Sequence, residues 1–388
     1  DSAPVTVQLS GNNVVLDESN YEDLDDGSKL IIFKYNSAND NGQSQTEYTI
    51  DFPSNVVADI LVVGGGGGGG QDRAGGGGSG AAIMYKNYKM NGDYAIGVGK
   101  FGANKQNGFD SFIQKSNSDL FRAKGGGHGS SAASIAGTDG GSGGGTPSQS
   151  GVIGGAAVTT NVVPISDTET GVFGPTETED YVIYGNQGGS ATNATWVGNW
   201  DILDGGGGGG IGDGGSISGD LYPVDSQYVA NNPGRGGNGR YDAVINGVSY
   251  NFKDYFGLSG SLEDDNYYYI AAGGGGGNSS AGSTASGGKG GGGDGGSASD
   301  GVDAVSFGSG GGGAGNGANY VGGNGSSGVI VIRYSVDTDG DGVVDASDFA
   351  PLDPNVQVDL TVDMTGKPSI LTDASLKLWL DASHSNSV

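Results

Sequence analysis

Short apolar-rich runs are set between polar turn clusters over residues 1–63. "VTVQLS", "KLIIFKY", "TEYTIDF" and "ADILVV" are rich in Val, Ile, Thr, Tyr and Phe, and the turn clusters "GNN", "DDGS" and "NSANDNGQ" separate them. This pattern predicts β-strands. No stretch holds an apolar period of 3.6 residues with helix caps at its ends, so the fold class expected is all-β.

Beyond residue 63 one sentence repeats: a glycine run, a short apolar or small-residue segment, a turn, and another glycine run. Residues 64–70 are all glycine, and further runs fall at 75–80, 125–129, 140–145, 205–215, 273–277, 287–296 and 310–317. Their spacing is uneven, which excludes a solenoid of one fixed period. Glycine loses more backbone freedom on folding than any other residue, so such runs stay disordered unless a specific packing orders them. An extended helix of three residues per turn and ~3.1 Å rise offers that packing. Its N–H and C=O groups all point outward, and without Cβ atoms several such strands can approach and bond on every side. Here the glycines themselves are expected to be the core.

Composition narrows the classes further. The chain has 388 residues, 85 of them glycine and 10 proline, with no strict three-residue glycine register, which removes the collagen triple helix. Against 17 basic residues stand 44 acidic ones, a formal net charge of -27. A phosphate backbone is repelled by that charge, so nucleic acid is not an expected partner. The absence of cysteine excludes disulfides, cysteine metal sites and thiol nucleophiles. No stretch reaches the ~18 apolar residues of a membrane-spanning helix, and Asp1 in place of Met is read as a processed or trimmed start.

"ADILVVGGGGGGG", "AGGGGSGAA", "YAIGVGKFG", "NGFDSFI", "AKGGGHG" and the closing "GSSGVIVIRY" resemble, in that order, the glycine-rich domain of bacterial surface proteins and phage tail fibre adhesins. The resemblance runs over roughly residues 55–334 and implies a polyglycine II helix sandwich with flanking β-strands. In the phage adhesins it also implies variable loops at one end that bind the host receptor. Insertions at 146–204 and 219–270 depart from the pattern. They carry aromatics in polar surroundings, among them Trp196, Trp200, Tyr267, Tyr268 and Tyr269. A flat ring offers contact area at low entropy cost, so these five are the candidate ligand-binding residues, the competing reading being that they pack into small β cores.

One motif has sharp spacing. In "DTDGDGVVDASD", Asp337, Asp339 and Asp341 fill positions 1, 3 and 5 of a twelve-residue calcium loop, and Gly342 stands at the turn. Val343 supplies a carbonyl at position 7, Asp345 stands at 9 and Asp348 closes the loop at 12. Ca2+ is therefore the expected cofactor, and mutual repulsion of the carboxylates couples its binding to order. With "FAPLDPN" after it, the stretch resembles the calcium repeats of thrombospondin type 3 modules and bacterial adhesin linkers. "SLKLWLDASHSNSV" resembles the first strand of a concanavalin-like jelly roll, which implies a β-sandwich that continues past residue 388.

Enzymatic motifs do not survive inspection. "GVGKFG" satisfies the dinucleotide pattern but no helix pattern follows, and "GGSGG" satisfies the nucleophile-elbow pattern in a chain where glycine makes such matches cheap. Only His128 and His384 could act as a triad base. The expected organisation is an N-terminal β region (1–63), the glycine-rich domain (64–334), a calcium-binding linker (335–358) and the start of a β-sandwich (359–388). The expected function is non-enzymatic: a secreted, cell-surface or virion-surface scaffold whose loops bind a glycan or outer-membrane receptor. The alternative is a filament or surface-layer subunit that polymerises with copies of itself by strand addition through "VTVQLS"; ice binding by a flat glycine face is disfavoured by the uneven runs. A homo-oligomer or polymer is expected in either case.

Overall fold

A computed structural model of the chain describes residues 5–9, 11–15, 21–131, 136–147, 154–157, 176–177, 181–189, 205–215, 234–260, 263–264, 267–278, 284–337 and 345. Among these residues there is no α-helix, only a single 3-10 turn at Ser37–Asn39, and the fold is all-β. The strands are β1 (Thr6–Leu9), β2 (Asn12–Asn13), β3 (Tyr21–Asp23), β4 (Lys29–Lys34), β5 (Gln45–Val63), β6 (Ala82–Gly99), β7 (Ser111–Lys115), β8 (Ser118–Ala123), β9 (Thr176–Glu177), β10 (Tyr181–Tyr184), β11 (Asp242–Ile245), β12 (Val248–Asn251), β13 (Glu263–Asp264), β14 (Tyr267–Tyr268) and β15 (Val329–Val336).

Eleven of them form one sheet, in the order β3-β4-β15-β5-β6-β10-β9, with β1 and β2 branching from β5 and β7 and β8 from β6. The late strand β15 fits between β4 and β5, antiparallel to both, with Ile330 opposite Phe33 and Val62. The expected boundary between residues 63 and 64 therefore falls inside one sheet, because β5 lies on one side of it and β6 and β15 on the other.

At ~3.3 Å per residue a straight strand as long as β5 would run about 60 Å. Instead both ends of the β5–β6 ribbon return to the first glycine run: Gly64 donates to Ala81 at one end, while Lys100 donates to Ser44 and Gly65 to Phe109 at the other. The ribbon bends at the register shifts between Phe52 and Val56 and between Ala58 and Ile60. Strand alternation then divides the apolar residues between two cores. Ile31, Phe33, Ile50, Phe52, Ile60 and Ile332 fill the space inside the bend. Leu30, Leu61, Val63, Met84 and Val331 point to the opposite face.

That opposite face is covered by part of the second insertion. Phe252, Phe256 and Leu258, with Ala243 and Ile245 of β11, are buried against it. An ionic clamp fastens the insertion. Asp59, 9% exposed, accepts from Lys86 Nζ at 2.6 Å, from the Asn87 N–H at 2.9 Å and from the Tyr255 hydroxyl. Lys86 Nζ lies 4.5 Å from the Tyr250 ring centre and 4.9 Å from that of Tyr255. The Arg333 guanidinium sits 4.1 Å over Tyr255 and donates to its carbonyl at 3.1 Å. Burial, then the charge of Asp59, pushes the Tyr255 hydroxyl far above the usual phenol range.

The glycine segments supply the rest of the interior. Residues 64–70 are buried throughout. Gly64, Gly67 and Gly70 donate to Ala81, Gly78 and Gly75; Gly65 and Gly68 donate to Phe109 and Gln106; Gly66 and Gly69 donate to Ser326 and Gly323. Their carbonyls accept from three other segments: Gly126 and Gly129, Gly102 and Lys105, and Gly311 and Ala314. Each neighbour thus recurs at every third residue, and the segment has hydrogen-bonded neighbours in six directions. Segment 74–80 is enclosed in the same way, donating to Ser130 and Gly127, to Gly206 and Gly209, and to Gly311 and Gly308. A Cβ at Gly66, Gly68 or Gly69 would lie 1.9 Å from a neighbouring carbonyl oxygen, so only glycine permits these approaches.

Candidate functional site

The glycine body has two distinct ends. At one, Gly64, Ala81, Lys124 and Phe109 meet where the segments leave the sheet. At the other, a chain of backbone hydrogen bonds links Gly70 to Gly75, Gly75 to Ser130, Ser130 to Gly145, Gly206 to Thr146, Thr146 to Gly189, Gly234 to Gly205 and Gly205 to Gly277. Asn278, the next residue, accepts from Asn316. Ser130, Thr146, Gly189, Gly205, Gly234 and Asn278 adjoin the stretches 132–135, 148–153, 190–204, 216–233 and 279–283. All these stretches are thus entered or left at the end opposite the sheet. Trp196 and Trp200 lie in 190–204, outside the described residues.

Tyr267, Tyr268 and Tyr269 lie at the sheet end instead, beside the bridge of Arg240 to Ile270. Alternation along β14 separates them. Tyr268 is only 3% exposed and belongs to the core on the covered face, 6.4 Å from the Phe307 ring. Its ring occupies the space a side chain at Gly260 would need. Packing, not ligand contact, explains this residue. Tyr267 is 42% exposed, and it forms a cluster with Tyr241, at 4.3 Å between ring centres, and Tyr269, 5.3 Å from Tyr241. Lys289 Nζ lies 4.6 Å from the Tyr269 ring. The charge of Asp242, then burial, raises the Tyr241 phenol above its ordinary range. Tyr241 was legible only as one aromatic of the rich stretch "GRYDAVINGVSYNFKDYFGL". Its place in the cluster comes from the pairing of segment 240 with segment 270.

Of the expected calcium ligands, Asp337 and Asp345 are described; Asp339, Asp341, Val343 and Asp348 lie outside the described residues. Asp337 is 1% exposed, and its N–H donates to the Asn55 carbonyl at 3.0 Å. The Asp345 N–H donates to the Val336 carbonyl at 2.8 Å, which brings position 9 back beside position 1. No group of three or more potential metal ligands assembles among the described residues.

His128 lies in a glycine segment, its Nδ1 2.9 Å from the Gly129 carbonyl. Among the described residues no helix is long and apolar enough to cross a membrane.

A family model described as a glycine-rich domain matches residues 43–335. The match begins just before β5 and ends within β15, so it takes in the two strands that frame the glycine body. No curated protein matches the chain.

Proposed function

This chain belongs to the glycine-rich domain family, and on that footing we propose that it is a non-enzymatic scaffold of a secreted, cell-surface or virion-surface protein. Its glycine segments are polyglycine II helices stacked as a sandwich, and they hold receptor-binding segments away from the β-sheet. The observation that carries this reading is the hydrogen-bonded end from Gly70 to Asn278, where the connecting stretches, including the one with Trp196 and Trp200, are entered or left. At ~3.1 Å per residue that end stands roughly 19 Å from Gly64. Three-residue recurrence of neighbours and the close carbonyl approaches support the helix type. A body bonded in six directions is stiff, which suits a spacer that presents a glycan- or protein-binding tip.

At the other boundary, Asp337, Asp339, Asp341, the Val343 carbonyl, Asp345 and Asp348 hold one Ca2+ and stiffen the junction to a concanavalin-like domain. The thrombospondin-like character of this linker belongs to the same proposal. In the competing filament reading, "VTVQLS" is the exchanged strand. In this chain β1 is already paired, with Thr6 opposite Asp51 and Gln8 opposite Asn13, so exchange would first have to displace it.

Electron microscopy of the purified protein, with calcium and then with excess chelator, tests the choice. Discrete rigid particles or small oligomers in both conditions are expected. Ordered polymers that loosen on chelation would overturn the spacer reading and make the chain a filament subunit.

A further inference from the structure

The outward face of the bent half of the sheet carries a polar cleft that neither the tyrosine cluster nor the distal end uses. The register sets a row across four strands: Glu47 of β5, Gly97 of β6, Phe112 of β7 and Arg122 of β8. Gln45 stands opposite Gly99 one step along. Two glycines on the middle strand sink the surface there. The Phe112 ring leans over Gly97, where a Cβ would come 2.3 Å from the ring edge. A cleft of about 540 Å³ opens, lined chiefly by Gln45, Glu47, Phe109, Asp110, Gln114 and Arg122. That volume is within the range of small-molecule sites.

Its polar groups are already held in place. Arg122 donates to both Asp119 carboxylate oxygens, at 2.6 and 2.8 Å, and its guanidinium lies 4.9 Å over Phe112. Asp110 accepts from Lys124 at 2.9 Å and from the Gly125 N–H at 3.0 Å. The Gln45 amide donates to the Asp110 carbonyl and the Gln114 amide to Asp119, both at 2.8 Å. Each glutamine thereby commits one N–H and keeps the second as a donor, and no hydrogen bond among the described residues takes up its Oε1. Glu47 accepts at Oε1 from Asn41 and keeps its second oxygen as an acceptor.

The cleft therefore offers acceptors beside two amide N–H donors, while its cations are already engaged with Asp110 and Asp119. Its partner must donate hydrogen bonds and carry no negative charge, on a chain of net charge -27. We propose that this cleft binds a short neutral saccharide, whose hydroxyls donate to Gln45, Glu47 and Gln114 and accept from the free amide N–H of each glutamine. The site is separate from the distal tip, so it stands or falls independently of the spacer reading.

The test begins with an array of neutral, sialylated and sulfated oligosaccharides, with spermine as a cationic probe measured beside it. Calorimetry then follows the best neutral glycan on the intact chain and on Gln45→Ala/Gln114→Ala and Tyr267→Ala. Expected are neutral hits only, at least a tenfold weaker affinity in the double variant while its circular dichroism stays that of the folded parent chain, and no change in Tyr267→Ala. Absence of any neutral hit, stronger binding of spermine, or unchanged affinity in the double variant would overturn the proposal. Loss of binding in Tyr267→Ala alone would also overturn it, moving the saccharide to the tyrosine cluster while leaving the spacer reading intact.

Discussion

Gly68→Ala separates a core built from backbone from a flexible linker, because the two predict opposite signs. In an unpacked run, alanine in place of glycine reduces the freedom of the unfolded chain and stabilises by about 0.4–1 kcal/mol. In the packed segment the new Cβ would sit 1.9 Å from the Ala103 carbonyl oxygen and 2.5 Å from its carbon. Neither atom belongs to a flexible side chain, so the 102–105 segment must retreat by about 1 Å to relieve the overlap. The bonds at stake are Gly68 to Gln106, Gly102 to Gly66, Gly129 to Gly68 and Lys105 to Gly69, now 2.8–3.0 Å long. A retreat of that size breaks or weakens two to four of them, at ~0.5–1.5 kcal/mol each. Less the unfolded-state gain, the net expected loss is about 2–3 kcal/mol. Gly214→Ala is the control, since its nearest neighbour is a single carbonyl oxygen at 3.0 Å. Urea denaturation followed by tyrosine fluorescence and circular dichroism reads both variants. If Gly68→Ala matched or exceeded the stability of the parent chain, packing of glycine backbones could not be what holds residues 64–70.

Four further outcomes follow from named residues. Tyr268→Ala is expected to cost about 3–5 kcal/mol, as a large buried ring does, while Tyr267→Ala stays within about 0.5 kcal/mol; equal losses by denaturation would refute the division along β14. Lys86→Met leaves Asp59 largely buried without its cation and should destabilise by about 3 kcal/mol, with hydrogen exchange rising first at 242–258; a silent variant would mean that the clamp does not hold the insertion. The Arg122 hydrogen bonds hold the Asp119 carboxyl below the usual range, against opposing burial. A depressed folded value gives stability that is present above the unfolded value near ~4 and fades as pH falls through the folded one. The stability gap between the parent chain and Arg122→Gln should thus be full at about pH 6 and close on acidification below ~4; a gap independent of pH contradicts this. Calorimetry should find one Ca2+ per chain, lost in Asp341→Ala, and a titration without heat or spectral change would remove the cation from the linker.

Several features of the fold were legible before any coordinates. The strand compositions of "KLIIFKY", "ADILVV" and "GVIVIRY" are those of β4, β5 and β15, and the absence of helical periodicity matched an all-β chain. Composition did not tell what would bury the second face, because the cover on it comes from residues 243–258, far along the chain. The same distance hid Tyr241 from the candidate cluster and made Tyr268 look equivalent to its neighbours. Its burial depends on which face of a two-residue strand meets Phe307.

What the sequence by itself determined is the material: strands from β-branched and aromatic runs, and glycine runs able to approach one another because they lack Cβ atoms. A loss of steric restriction is local, so composition alone expresses it. What only the tertiary structure decided is the partner of each segment. Gly66 meets Ser326 and Gly102, while Gly67 meets Gly78 and Gly311, and in the runs one glycine is chemically the same as the next. Identical side chains carry no register, so it is set where distinguishable residues lock in: the β15 insertion between β4 and β5, the bend at Phe52, and the Asp59 clamp.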